Sequence, residues 1–191
     1  RYEFVTGVQT CALPILHMEI IRERLEREFD LALIATAPSV EYRVTVHGGR
    51  EVVIDNPSAM PPMGEVEEIA EPYLKATILA PSEYTGTLLD LCQTRRGEMV
   101  KLEYLSPERI ELAYRLPLAE VVIDFFDQLK SRTQGYASLD YEPAGYAVGN
   151  LVKVDILLAG DPVDAFSSIT HRDKADEYGR AMTDKLKELI P

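Results

Sequence analysis

Tryptophan is absent, and only two cysteines and three histidines occur among 191 residues. The two thiols, Cys11 and Cys92, cannot build the disulfide framework of a small secreted domain, and they lack the Cys/His spacing of a zinc site. A reducing, cytoplasmic compartment is expected. No apolar run approaches the ~20 residues of a membrane-spanning helix, because the richest stretch, Leu116 to Phe126, is broken by Pro117, Glu120 and Asp124. Membrane insertion is therefore not expected. Basic charge is also scarce: 20 Lys and Arg face 32 Asp and Glu, for a formal net charge of −12. Phosphate neutralisation needs clustered cations, so generic binding of DNA or another polyanion is excluded, and any RNA contact must come from local basic patches. Nor does the chain contain a Gly-x-x-x-x-Gly-Lys-[Ser/Thr] loop, so the backbone cradle and lysine that hold nucleotide phosphates are missing from it.

What is present is enough apolar residue, 46% of the chain, to bury a core in one or two domains. The stretch Val5 to Ile15 resembles the translation of a common sequencing adapter, so residues 1–15 read as a non-native scar and Cys11 carries no weight. The alternative is a natural loop ending at Pro14. From Leu16 to Phe29, Ile21, Leu25 and Phe29 recur at i+4 with Glu23 and Arg27 as a supporting pair, which predicts an amphipathic helix. Leu31 to Ile34 and Val40 to Val46 read as strands. His47-Gly48-Gly49 then turns into a strand over Glu51 to Ile54. Asn56 to Gly64, with Pro57, Pro61, Pro62 and Gly64, reads as a linker and a domain boundary.

In the next block Leu74, Ala76 and Ile78 alternate with polar residues as a half-buried strand. Ser82 is placed to cap a helix after Pro81. Tyr84, Leu88, Leu91 and Cys92 form its stripe, Gly97 its C′ residue, and Gly86, ~1 kcal/mol worse than Ala in a helix, implies close backbone packing. Val100, Leu102 and Tyr104 alternate with Lys101 and Glu103; Ser106-Pro107-Glu108 turns the chain; Ile110, Leu112 and Tyr114 build the antiparallel partner. A second helix starts near Pro117, with Ala119, Val122, Ile123, Phe126 and Leu129 toward the core, and stops at Gly135. Tyr136 to Tyr141 is the last strand. This order is the split βαββαβ, ferredoxin-like pattern of an α+β fold. Beyond it, Leu151 to Leu158 and Val163 to Thr170 read as strands about a Gly160-Asp161 turn, and Lys174 to Ile190 as a helix.

Catalytic constellations are weak. Ser167 and His171, with Asp173 the components of a hydrolytic triad, lie ~13 Å apart on a strand rising ~3.3 Å per residue. Asp124 and Asp127 suit the solvated face of an amphipathic helix, and Cys92 on an apolar stripe suits a buried hydrophobe. His17 and His47 have no partners at ligand spacing. An acylphosphatase would place an arginine after the first strand, where Ala80-Pro81-Ser82-Glu83 has none. An RNA-recognition motif would expose aromatics where Lys75, Thr77, Lys101, Glu103, Glu111 and Arg115 point outward. There remain basic features at element ends: Arg95 and Arg96, Lys130 and Arg132, His171 and Arg172. The first two pairs lie at helix C-termini, where such cations suit helix-dipole complementation, worth ~0.3–1 kcal/mol, as well as phosphate contact; His171 and Arg172 lie at a strand end.

Several segments resemble a known family. Leu16-His17-Met18-Glu19-Ile20-Ile21 through Phe29 looks like the late helix of domain III in translational GTPases. Glu71-Pro72, Pro81-x-x-Tyr84-x-Gly86 and Arg95-Arg96-Gly97 are similar to the start of their domain V. Gly135-Tyr136-Ala137-Ser138-Leu139-Asp140-Tyr141, Leu151-Val152-Lys153-Val154-Asp155-Ile156-Leu157 and Ile169-Thr170-His171-Arg172-Asp173-Lys174 together resemble the elongation factor 4 (LepA) family. The resemblance implies a C-terminal fragment: residues 16–46 the end of a domain III-like ferredoxin fold, 47–67 hairpin and linker, 68–148 a domain V-like ferredoxin fold, and 149–191 the start of the family's C-terminal domain. It further implies a parent that hydrolyses GTP on the ribosome during elongation, in back-translocation or ribosome remodelling, in contact with ribosomal RNA and tRNA. GTP and magnesium would then belong to a G domain absent here, and the fragment would be inactive alone. A monomer is expected, cytoplasmic or peripherally membrane-associated in the parent. The alternative is a stand-alone ferredoxin-like regulatory module binding a small molecule.

Overall fold

The structure, a computed structural model, describes residues 27–29, 40–122 and 124–189. It divides into two compact units, Arg1–Pro38 and Ser39–Pro191. Of the first unit only residues 27–29, which are helical, are described; the expected scar, the rest of the first helix and the strand at Leu31 to Ile34 lie outside the described residues.

The second unit is organised by one long strand. β1 (Tyr42–Val46) and β2 (Arg50–Ile54) form an antiparallel hairpin whose turn requires positive φ at Gly48 (+95°) and Gly49 (+75°), a conformation glycine adopts without a Cβ penalty. A short 3-10 turn, Pro57–Ala59, follows, and β3 then runs from Val66 to Pro81. After it come helix α1 (Thr85–Thr94), β4 (Glu98–Ser106), β5 (Arg109–Pro117), helices α2 (Leu118–Val122) and α3 (Phe125–Arg132), and β6 (Ser138–Gly149). β3 is antiparallel to three strands. β6 covers one edge from Ile69 to Leu79, while β1 takes Val66 to Ala70 and β5 takes Tyr73 to Pro81 on the other. Pro72, which has no amide hydrogen to donate, falls where β1 hands over to β5 and where the β6 register shifts. Across the block the order is β6-β3-β5-β4, the ferredoxin-like arrangement expected from the sequence.

Two cores result. Under α1 and α3, Ile78, Leu88, Leu91, Cys92, Ile110, Leu112, Leu116, Phe125 and Leu129 are buried together. A second core gathers Tyr42, Val44, Val46, Ile54 and Ile69 with Leu151 and Ile169. The last two come from β7 (Leu151–Val154) and β10 (Ser168–His171), an antiparallel pair that precedes α4 (Arg172–Leu189). Between them stand the two-residue strands β8 (Leu157–Leu158) and β9 (Asp161–Pro162).

Several expectations are corrected. The proline-rich stretch at Asn56 to Gly64 does not separate compact units: it folds back, with the His47 amide donating to Glu65 O at 2.8 Å, and the hairpin before it joins the β3 sheet. The second helix is interrupted at Asp124, which lies outside both α2 and α3 and resets the phase, so Phe125 is fully buried and Phe126 is 36% exposed, the reverse of the predicted stripe. Val100, Leu102 and Tyr104 do not enter the core; β4 is an edge strand, exposed along its whole length. Ser82 caps no helix, its hydroxyl donating instead to Pro107 O at 2.9 Å. Nothing lies within 4 Å of a Cβ built on Gly86, so close packing is not its role.

Candidate functional site

The turn from α1 into β4 is unusually tight. The amide of Gly97 reaches Cys92 O at 2.8 Å, and Arg96 takes the left-handed conformation (φ +57°) that the sequence reading assigned to the glycine. Gly97 is needed for space instead: a Cβ there would meet Cys92 O at 2.6 Å and Leu116 Cδ2 at 2.8 Å. This turn aims Arg96 inward. Its Nη1 and Nη2 donate to Glu71 Oε1 (2.6 Å) and Oε2 (2.9 Å), a bidentate fork, and its Nε donates to Glu120 Oε1 at 2.9 Å. Glu71 sits on β3 with its side chain 1% exposed. Glu120, on α2, also accepts from Lys174 Nζ at 3.0 Å on both oxygens, and Lys174 donates to Thr94 O at 3.1 Å. Arg95 Nη2 lies 2.7 Å from Asp124.

This network joins β3, the α1–β4 turn, α2 and α4. Burial alone would raise the Glu120 carboxyl, but hydrogen bonds from Arg96 and Lys174 outweigh it and hold the group below its ordinary range. Burial would lower Arg96; bonding to Glu71 and Glu120 raises it instead. Nearby, burial and the Glu71 charge push the Tyr42 phenol up to about 12. Sequence reasoning missed Glu71, Glu120 and Lys174. A signal existed for two of them: Glu71 shares the inward phase of Ile69 and Tyr73, and Glu120 interrupts the apolar run Leu118-Ala119-x-Val121.

Of the six candidate RNA contacts, Arg96 is thus the partner of the buried Glu71 and the largely buried Glu120, and Arg95 of the part-exposed Asp124. Lys130 and Arg132 stand exposed in the last turn of α3, Arg132 Nη1 3.0 Å from the exposed Asp90 and Lys130 Nζ 5.7 Å from the Phe126 ring. His171 is half-buried with Nδ1 3.5 Å from Asp173, and Arg172 is exposed at the start of α4, its amide donating to Asn150 O at 2.9 Å. The structure does not gather the six into one patch of free cations.

A cleft of about 410 Å³ lies beside the network, lined by Tyr73, Gln93, Arg96, Asn150, His171 and Lys174 among others. Arg96 and Lys174 already direct donors to carboxylates, so the cleft holds little uncompensated positive charge for an anion. Nor do the residues fit GTP and magnesium: the sequence has no phosphate loop, and among the described residues no three His, Cys, Asp or Glu side chains cluster to hold a metal. The hydroxyl of Ser167 donates to Asp155 at 2.6 Å, while His171 faces Asp173, so the two share no carboxylate. Burial raises the Cys92 thiol to about 12, which removes it as a nucleophile at neutral pH. No helix among the described residues is long and apolar enough to cross a membrane.

Comparison with known proteins agrees with this geometry. Residues 68–157 match the family model described as elongation factor G C-terminus. The chain is 62% identical over 185 residues to proteins named elongation factor 4 from Cutibacterium acnes and from Thermobifida fusca, 97% of this chain and 30% of each relative. It therefore spans about 30% of the length of the curated relatives it matches. The aligned span is longer than the chain beyond position 15 and so runs into the stretch read as a scar. A solved structure from Thermus thermophilus aligns at a TM-score of 0.40 with 30% identity, over 42% of this chain and 12% of its own, too partial a likeness to bear on the assignment.

Proposed function

Because the chain belongs to the elongation factor 4 family, we propose that it is the ribosome-docking portion of a cytoplasmic translational GTPase acting during elongation. The observation that carries this is the 62% identity across 97% of the chain. GTP and its magnesium are then handled elsewhere in such a protein, since the sequence has no phosphate loop and the described residues hold no metal-ligand cluster. Within the docking portion the cations divide by geometry. Arg95 and Arg96 are scaffold, and Lys130, Arg132 and Arg172 are the side chains left to meet ribosomal RNA phosphates. The exposed Arg132–Asp90 pair is no obstacle, because surface ion pairs of this kind are worth only ~0–1 kcal/mol.

The test is a ribosome-pelleting assay with this chain alone and with a full-length elongation factor 4 into which it replaces the matching segment. The chain alone should pellet little or not at all. The chimera should cosediment with ribosomes, and Lys130→Ala/Arg132→Ala/Arg172→Ala should weaken that binding. A folded chimera that stays in the supernatant would overturn the reading.

A further inference from the structure

None of the residues of α4 is buried, although it is the longest helix described. The helix packs on β7 and β10, and its inward stripe, Ala175, Tyr178, Gly179, Met182 and Leu186, is only half-buried. A helix takes most of its stability from packing such a face, so shallow burial leaves α4 open to local detachment. Arg180 and Lys187 pair within the helix, with Asp176 at 2.7 Å and Asp184 at 3.6 Å. Lys174 reaches outward instead, and among the described residues of α4 it is the one whose side chain bonds to the ferredoxin-like block. Its ammonium places all three donors: Nζ lies 3.0 Å from each Glu120 oxygen and 3.1 Å from Thr94 O. Thr94 is the last residue of α1, so the cation also meets a carbonyl at the negative end of that helix.

We propose that Lys174 is a clasp and α4 an arm: with Nζ seated between Glu120 and Thr94 the helix lies docked, and when that contact opens the helix swings away while the sheet stays folded. The acceptor side is held by the block itself, since Glu120 is 13% exposed and takes a bond from Arg96 Nε at 2.9 Å that does not involve α4. The strands before the arm are held too. Leu151 of β7 and Ile169 of β10 are buried in the second core, and the Arg172 amide donates to Asn150 O at 2.9 Å. The pivot therefore falls at His171-Arg172, where β10 passes into α4. One contact that biases the position of one element, with the rest of the fold unaltered, is the basis of a rigid-body or order-disorder switch.

The experiment is hydrogen–deuterium exchange of the full chain, read peptide by peptide by mass spectrometry, for the wild type, Lys174→Met, Glu120→Gln, the double variant and Lys185→Met. Methionine keeps the unbranched stem of Lys174, and Lys185 is an exposed lysine of the same helix that controls for loss of charge. Lys174→Met should speed exchange across Arg172–Leu189 at least about fivefold while β3 and β5 exchange as in the wild type. Glu120→Gln should loosen α4 as well. The double variant should be no faster there than the faster single one, because both changes open the same contact. Lys185→Met should match the wild type. An α4 that exchanges in Lys174→Met as in the wild type, an equal acceleration across α4 and β3, single effects that multiply in the double variant, or a Lys185→Met chain that loosens α4 equally would each overturn the proposal.

Discussion

Replacing Arg96 with methionine isolates the central interaction of the site. The substitution keeps an unbranched apolar stem but removes the fork that meets Glu71 at 2.6 and 2.9 Å. Glu71 has no route to water, its side chain being 1% exposed. Breaking a buried pair by removing one partner costs ~3–5 kcal/mol, because the other charge stays behind. For a unit of this size ~3–5 kcal/mol lowers Tm by roughly 6–20 °C. Thermal melts followed by circular dichroism measure the loss. The double substitution Arg96→Met/Glu71→Leu, which removes the stranded charge, should recover much of the loss. If Arg96→Met melts with the wild type, or the double variant is worse than the single one, Arg96 does not neutralise a buried charge and the account of the site fails.

Three further outcomes follow from neighbouring residues. Gly97→Ala, whose new methyl meets Cys92 O at 2.6 Å, should cost ~1–3 kcal/mol, whereas Gly86→Ala, with nothing within 4 Å, should be neutral or stabilise by up to ~1 kcal/mol; urea titration of the pair reads the contrast. Glu120 is held below the ordinary value of 4.5 by Arg96 and Lys174 despite burial, so its contribution is present above that pH and lost as pH falls below it; Glu120→Gln should lower Tm at neutral pH and flatten the acid limb of the Tm profile. The Cys92 thiol, pushed up to about 12 by burial, should resist a thiol-specific reagent at mildly alkaline pH in a Cys11→Ser background and react at once in denaturant; rapid labelling of the folded chain would contradict its placement.

How much of this was legible in the sequence varies with the scale of the feature. The order of strands and helices between Val66 and Gly149 was readable because each element carries its own period, two or 3.6, over several residues. Phase was less secure. An interruption at Asp124 leaves the composition of the helix unchanged yet exchanges the places of Phe125 and Phe126. The alternation in β4 marks a strand but not its exposed position at the sheet edge, since alternation reports the pleat and not whether a helix covers the face. Gly97 was singled out for its conformation when its neighbours require its lack of a side chain. The pairing of Arg96 with Glu71 and Glu120 brings together residues 25 and 24 positions apart, a convergence that depends on the packed fold and leaves no periodic trace.

The same convergence bears on the proposed contact with RNA. With a net charge of −12 the chain as a whole repels phosphate, so attraction has to come from side chains that remain outward after the internal pairs are made. The network takes Arg95, Arg96 and Lys174 out of that set, leaving Lys130, Arg132 and Arg172 among the candidates. Three phosphate contacts correspond to a change of about 2–3 in the slope of log K against log salt. That difference, measured between the chimeric factor and its triple alanine variant, separates outward cations from scaffold in a way that affinity at a single salt concentration does not. Arg95→Ala in the same factor should lower its melting temperature and leave the slope where it was. A slope that falls by about one with Arg95→Ala and stays put with the triple variant would reverse the assignment of roles.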